Sequence, residues 1–169
     1  MTISMYQASV PLLIRMLTSL KGILEKGAAH AQAKKIDETV FLNARLYPDM
    51  FAFTRQVQIA CDFGRATGAR LAGQEPPGYE DNEKTFAELI SRVERSIDYL
   101  RTLTPGMIDG SEAREIVRPL RGEPKRFTGI NYLLQFALPN FFFHATTAYA
   151  ILRHGGVELG KNDFIGALD

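Results

Sequence analysis

The sequence predicts an all-α protein, a four-helix bundle with a short irregular or hairpin excursion before its last helix, and three observations carry that reading. Four segments repeat apolar residues at steps of three and four, the period of a single helix face. Proline and glycine punctuate the chain between them, most clearly at Gln74-Glu75-Pro76-Pro77-Gly78 and Thr104-Pro105-Gly106. From Met107 to Gly129 the helical period stops, and Ile116-Val117-Arg118-Pro119 and Arg126-Phe127-Thr128 read as extended pieces around a turn, where two prolines allow only an edge strand.

The first helix is expected from Tyr6 to Glu25, with Tyr6, Val10, Leu13, Leu17, Leu20 and Leu24 as its seam and Gly27 as its stop. Asp37 then caps a short helix reaching Asn43. The second long helix is expected to open at Pro48-Asp49 and run to Leu71-Ala72, closed by Gly73. Val57, Cys61, Gly64 and Gly68 form a stripe of mostly small residues on it. Glycine inside a helix costs about 1 kcal/mol against alanine, so two on one stripe imply close approach of another backbone. Asp81 or Asn82 caps the third helix, which carries Phe86, Leu89, Ile90, Val93, Ile97 and Leu100 on one face and the Glu88–Arg92 pair on the other. Ile130 to Phe136 makes a turn or two of helix, Pro139 starts the last long helix, and Gly155-Gly156 ends it.

Composition excludes several classes of function. A chain of 169 residues with 46% hydrophobic and 23% charged residues has the size and make-up of one globular domain, taken here as residues 1–169. The formal net charge is +1 and Trp is absent, which leaves no field or stacking surface for nucleic acid. Cys61 is the one cysteine, so no internal disulfide framework exists. Arg15 and Lys21 interrupt the apolar segment from Val10 to Leu24, and no basic region precedes an apolar run at the N-terminus. A cytoplasmic protein, away from the membrane, is expected.

Candidate chemistry centres on His144. Phe141, His144, Ala145, Ala148, Ile151 and Leu152 fall on one stripe, which places an imidazole among apolar neighbours. Asp49 and Gln56, seven apart, are expected to share a face of the second helix, and Asn140 shares a face with His144. If those faces meet, Asp49 or Gln56 can orient the ring, the carboxylate making it a general base. Asp49 is more simply explained by the first turn of a helix, where a carboxylate meets the positive end of the dipole. Tyr149 is a core, interface or ligand-contacting aromatic. Arg118, Arg121, Lys125 and Arg126 make a basic run that can meet an anion or simply face water.

The Pro-Asp-Met opening of the second helix and the segment Phe143-His144-Ala145-Thr146-Thr147-Ala148-Tyr149-Ala150-Ile151-Leu152-Arg153 resemble the DinB/YfiT-like superfamily. Ala44-Arg45-Leu46-Tyr47-Pro48-Asp49-Met50, Arg70-Leu71-Ala72-Gly73 and Gly160-Lys161-Asn162-Asp163-Phe164 place it with a bacterial branch of unknown function. The resemblance covers nearly the whole chain and implies an up-down-down-up bundle and a homodimer, which the small-residue stripe would also serve. Members of the superfamily hold a divalent metal on three histidines, and some are thiol-dependent transferases. Here His144 matches one ligand, Ala148 stands where a second would fall, and the second helix offers Gln56 in place of the third. His154 lies about 15 Å further along the axis. No metal or other cofactor is therefore expected, with His144 the sole candidate ligand.

Two classes of function follow. In one, the chain is a small-molecule-binding or self-association module that has lost the metal triad. In the other, it is a metal- or histidine-dependent hydrolase or a thiol-dependent transferase that uses His144 with Asp49 or Gln56, with nickel or zinc completed by other ligands.

Overall fold

The computed structural model describes residues 2–120 and 122–167. Its elements are α1 (Val10–Lys34), α2 (Glu38–Leu42), α3 (Phe53–Leu71), α4 (Phe86–Arg101), α5 (Pro105–Ile108), β1 (Glu115–Leu120), β2 (Glu123–Thr128), α6 (Gly129–Asn131), a π-helical stretch (Tyr132–Ala137), α7 (Leu138–His154) and α8 (Lys161–Ile165). The chain is mostly helical, but β1 and β2 pair antiparallel, so the all-α expectation is corrected by one two-stranded sheet. Pro119 stands opposite Pro124 in that ladder, as suits a sheet with two edges. Arg121, part of the expected basic run, lies outside the described residues. Among those residues no helix is long and apolar enough to cross a membrane.

Helix α1 packs chiefly on α4, and α3 packs on both α7 and α4, with α1 touching α3 and α7 as well. The shared core holds Leu13, Leu17, Leu24, Val57, Phe86, Val93, Ile97, Ala145 and Ile151, as the helical periods require, while Tyr6 and Ile90 are only partly covered. The excursion does not stay outside this core. Ile108 and Ile116 are buried in it.

Several boundaries differ from the sequence reading, each for a local reason. Gly27 does not stop α1. A Cβ there would lie 2.9 Å from the ring of Phe86, so this glycine lets α4 approach, and the helix continues to Lys34 before Lys35 turns left-handed at φ 54°. Helix α3 starts at Phe53, not at Pro48. Met50 closes a turn onto the Tyr47 carbonyl, Ala52 is extended, and Phe53 N–H donates to Ala44 O at 2.8 Å. Thr85, rather than Asp81 or Asn82, caps α4, and it forms a reciprocal capping box with Glu88.

Pro139 does not restart the chain, because helix runs unbroken from Gly129 to His154. A proline inside a helix loses its own donor and strikes the carbonyl four residues back. That carbonyl belongs to Gln135, in the π-helical stretch, where Leu138 N–H reaches five residues back to Leu133 O. The wider turn accommodates the ring. Gly129 begins this run for steric reasons, since a Cβ there would lie 2.0 Å from the Ser111 carbonyl oxygen.

The largest departure concerns Arg92. The sequence places it on a solvated face, paired with Glu88, yet it is wholly buried. Its Nη1 donates to Glu83 Oε1 and to the Glu80 carbonyl, both at 2.9 Å, and its Nη2 donates to Asp62 Oδ1 and Asp81 Oδ1, both at 2.8 Å. Gln58 Nε2 donates to the other oxygen of Glu83 at 2.8 Å. Tyr79 adds a second clamp, its ring lying 3.8 Å from the Arg65 guanidinium and 4.5 Å from that of Arg95. The polar loop after α3 is thus tied down by cations rising from the helices beneath it.

Breaking a buried ion pair strands the remaining charge, so Arg92→Ala is expected to destabilise the fold by about 3–5 kcal/mol in urea titrations. A loss within the range of ordinary surface substitutions would contradict this. Burial alone would raise the Glu83 carboxyl, but hydrogen bonds from Arg92 and Gln58 outweigh it and hold the group below its ordinary 4.5. A depressed carboxylate stabilises the fold above its unfolded value, and that contribution disappears as pH falls through the folded value. Unfolding midpoints are therefore expected to drop steadily below pH 4.5, with a smaller drop in Glu83→Gln.

Candidate functional site

Helix α3 brings Gln56 and helix α7 brings His144 to one contact. The imidazole Nδ1 and Gln56 Oε1 are 2.7 Å apart. Gln56 is 1% exposed, and its Nε2 donates to the Phe51 carbonyl at 3.2 Å. A carbonyl can only accept, so the amide nitrogen must face Phe51 and the amide oxygen must face the ring. His144 Nδ1 is then the protonated nitrogen, and Nε2 carries a lone pair that takes no hydrogen bond among the described residues. The ring is stacked on Phe63, with centroids 6.3 Å apart and planes 16° apart, and Phe143 meets it edge-on at 5.2 Å.

The electrostatics favour the neutral ring. Partial burial, and then the nearby Arg55 guanidinium, hold His144 below the ordinary 6.5. Its partner is an amide, which stabilises no positive charge as a carboxylate would. Cys61 is chemically quiet, since burial pushes its thiol up to about 12.

The expected meeting of His144 with Gln56 is present, although the ring is half-buried rather than buried. Asp49 does not share a helix face with Gln56. It is exposed in the turn before α3, and among the described residues it makes no hydrogen bond to the ring. Asn140 turns away, donating to the Phe136 carbonyl at 2.7 Å. Tyr149 packs edge-on against Phe164 of α8, with centroids 5.8 Å apart, rather than beside His144. The small-residue stripe is consumed within the chain. A Cβ on Gly64 would lie 3.1 Å from Leu17, and one on Gly68 would lie 2.6 Å from Leu103. It supports no dimer contact.

Phe63 and the Phe51 carbonyl were absent from the expected site. Phe63 was within reach, since it follows Gln56 by two helical turns on one face. Phe51 was not, because its carbonyl acts from a turn that the sequence read as helix. The donors at the site are one imidazole nitrogen and an amide, and Ala148 is fully buried with no ligand atom. A three-histidine metal centre does not fit these residues, and among the described residues no group of three or more His, Cys, Asp or Glu is placed to hold an ion.

His144 is expected to titrate below 6.5 by nitrogen-detected NMR, with Nε2 as the unprotonated nitrogen at neutral pH. Gln56→Glu should move the midpoint upward, because a carboxylate favours the imidazolium. A midpoint unchanged by that substitution would show that the contact does not govern the ring.

Similarity to known proteins agrees with this architecture. The family model for the domain of unknown function DUF1993 matches residues 5–165. The crystal structure of a DinB family member protein from Shewanella denitrificans superposes with a TM-score of 0.91 at 42% identity, over 96% of this chain and 92% of that one. No curated protein matches the chain. With the match spanning nearly all of the helices and the hairpin, the chain belongs to the DUF1993 family, and its fold is DinB-like.

Proposed function

We propose that this single-domain chain, a DinB-type bundle of the up-down-down-up order, is a small-molecule-binding module in which His144 is the recognition group. The observation that carries the reading is the fixed tautomer. Gln56 holds the Nδ1 proton and Phe51 holds Gln56, so Nε2 presents a lone pair in a set direction. An amide stabilises the imidazolium less than a carboxylate would, so the pairing favours the neutral form of His144. Its neutral ring suits acceptance of a hydrogen bond. Phe63 and Phe143 supply apolar walls beside it, and the ligand class that fits is a small aromatic or apolar molecule bearing a hydroxyl or N–H donor. In this reading the metal-dependent chemistry of the wider superfamily has been replaced, and no step is routed through an ion. Phenol serves as a probe. It is expected to shift the His144 Nε2 resonance saturably and to lose that effect in His144→Phe; an Nε2 signal insensitive to phenol would overturn the proposal.

A second reading, self-association, rests on a separate observation. Phe51 and Phe143 flank the Gln56–His144 contact and are 56% and 58% exposed, and Leu46 and Tyr47 of the same turn region are also exposed. We propose that this apolar rim is the two-fold contact of a homodimer, since such an interface presents one patch twice. Sedimentation at micromolar concentration is expected to give a dimer for the native chain and a monomer for Phe51→Ser/Phe143→Ser. A monomeric native chain removes the assembly without touching the ligand reading.

A further inference from the structure

A cleft of about 350 Å³ opens between α3, the Gln74–Gly78 loop and the hairpin, and it shares Phe63 with the His144 site. Three arginines line it: Arg65 and Arg70 from α3, and Arg118 from β1. Arg65 is only 4% exposed. Its Nη2 is paired with Asp62 at 3.0 Å, but its Nε and Nη1 are buried with no hydrogen-bond partner among the described residues. Arg118 Nε is buried without a partner in the same way. Buried N–H groups on a cation are rarely left unmatched, because each forfeits water with no replacement.

The charges of the cleft do not balance internally. Against three guanidinium groups stand two carboxylates, Asp62 and Glu75. Asp62 is already held by Arg65 at 3.0 Å and by Arg92 at 2.8 Å. Glu75 forms no ion pair within 4.0 Å among the described residues. Burial, and then repulsion from Arg70, hold the Arg118 guanidinium below its ordinary range. One positive charge is in surplus, and the remaining walls are apolar, from Phe63, Ala66, Pro76 and Pro77.

We propose that this cleft is a binding site for a small organic monoanion, a carboxylate carried on an aromatic or aliphatic body. Arg65, Arg70 and Arg118 supply guanidinium groups, which pair with carboxylates, while Phe63 and the two prolines line the rest of the cleft. A surplus of one cation is balanced by one negative charge, whereas a phosphate dianion would leave the cleft net negative. The volume lies at the low end of small-molecule sites, which run from about 300 to 1,000 Å³.

Isothermal titration with benzoate tests this. The native chain is expected to bind benzoate, and Arg118→Gln should weaken binding about tenfold or more. Arg126→Gln removes the same charge from the facing strand, where Arg126 is exposed and paired with Glu115, and should leave affinity unchanged. Equal weakening by both variants would reduce the effect to general electrostatics and overturn the site. Benzoate should also shift the ring resonances of Phe63 and the methyl of Ala66 in the native chain, a readout that does not depend on any variant folding. No binding, or no shift at those residues, overturns the proposal. Inorganic phosphate binding more tightly than benzoate would also overturn it, because the ligand class would then be wrong. His144→Phe removes no cleft residue and keeps a ring against Phe63, so it should retain benzoate binding, which separates failure here from failure of the phenol experiment.

Discussion

A guanidinium buried to 0% exposure is the constraint around which one half of this molecule is arranged. An arginine cannot shed its proton, so it must be met by acceptors wherever the fold buries it. Arg92 of α4 finds them in Asp62 of α3 and in Glu80, Asp81 and Glu83 of the connecting loop. That single side chain joins two helices and the segment between them. It also explains why α4 begins at Thr85: the acidic residues just upstream are directed inward to the cation, leaving the capping role to a threonine and Glu88. The loop so fixed then becomes a wall of the arginine-lined cleft.

The other half is organised by close approach and by an aromatic series. Gly27, Gly64, Gly68 and Gly129 each stand where a methyl group would meet a neighbour at 3.1 Å or less. At Gly129 the neighbour is backbone and cannot move aside, so only a residue without a side chain fits there. From the hairpin inward, Phe127 meets Phe136 at 5.3 Å, Phe136 meets Phe63 at 5.7 Å, and Phe63 meets His144 at 6.3 Å. The π-helical stretch belongs to this arrangement, since it carries Phe136 and also absorbs Pro139. Hairpin, α3 and α7 are thereby linked through rings to the imidazole. Phe63 contributes to both proposed sites, although the groups that recognise a ligand differ completely.

Four apolar periods, the short helix capped by Asp37, the stop at Gly155-Gly156 and the paired extended pieces around Gly122 were legible in the sequence, because each depends on residues within one or two turns of one another. The sequence also narrowed the partner of His144 to Asp49, Gln56 or Asn140, and packing chose Gln56 among them. What only the tertiary structure decided involved distant partners. Arg92 reads as surface charge until Asp62 and Glu83 are brought to it, and Gly27 reads as a stop until Phe86 lies against it. Asp49 reads as a helix start until the Ala44 carbonyl receives Phe53. The arginine cleft draws on α3, a loop and β1, and its unmatched N–H groups emerge only from burial, a property of packed surfaces that no local pattern of residues encodes.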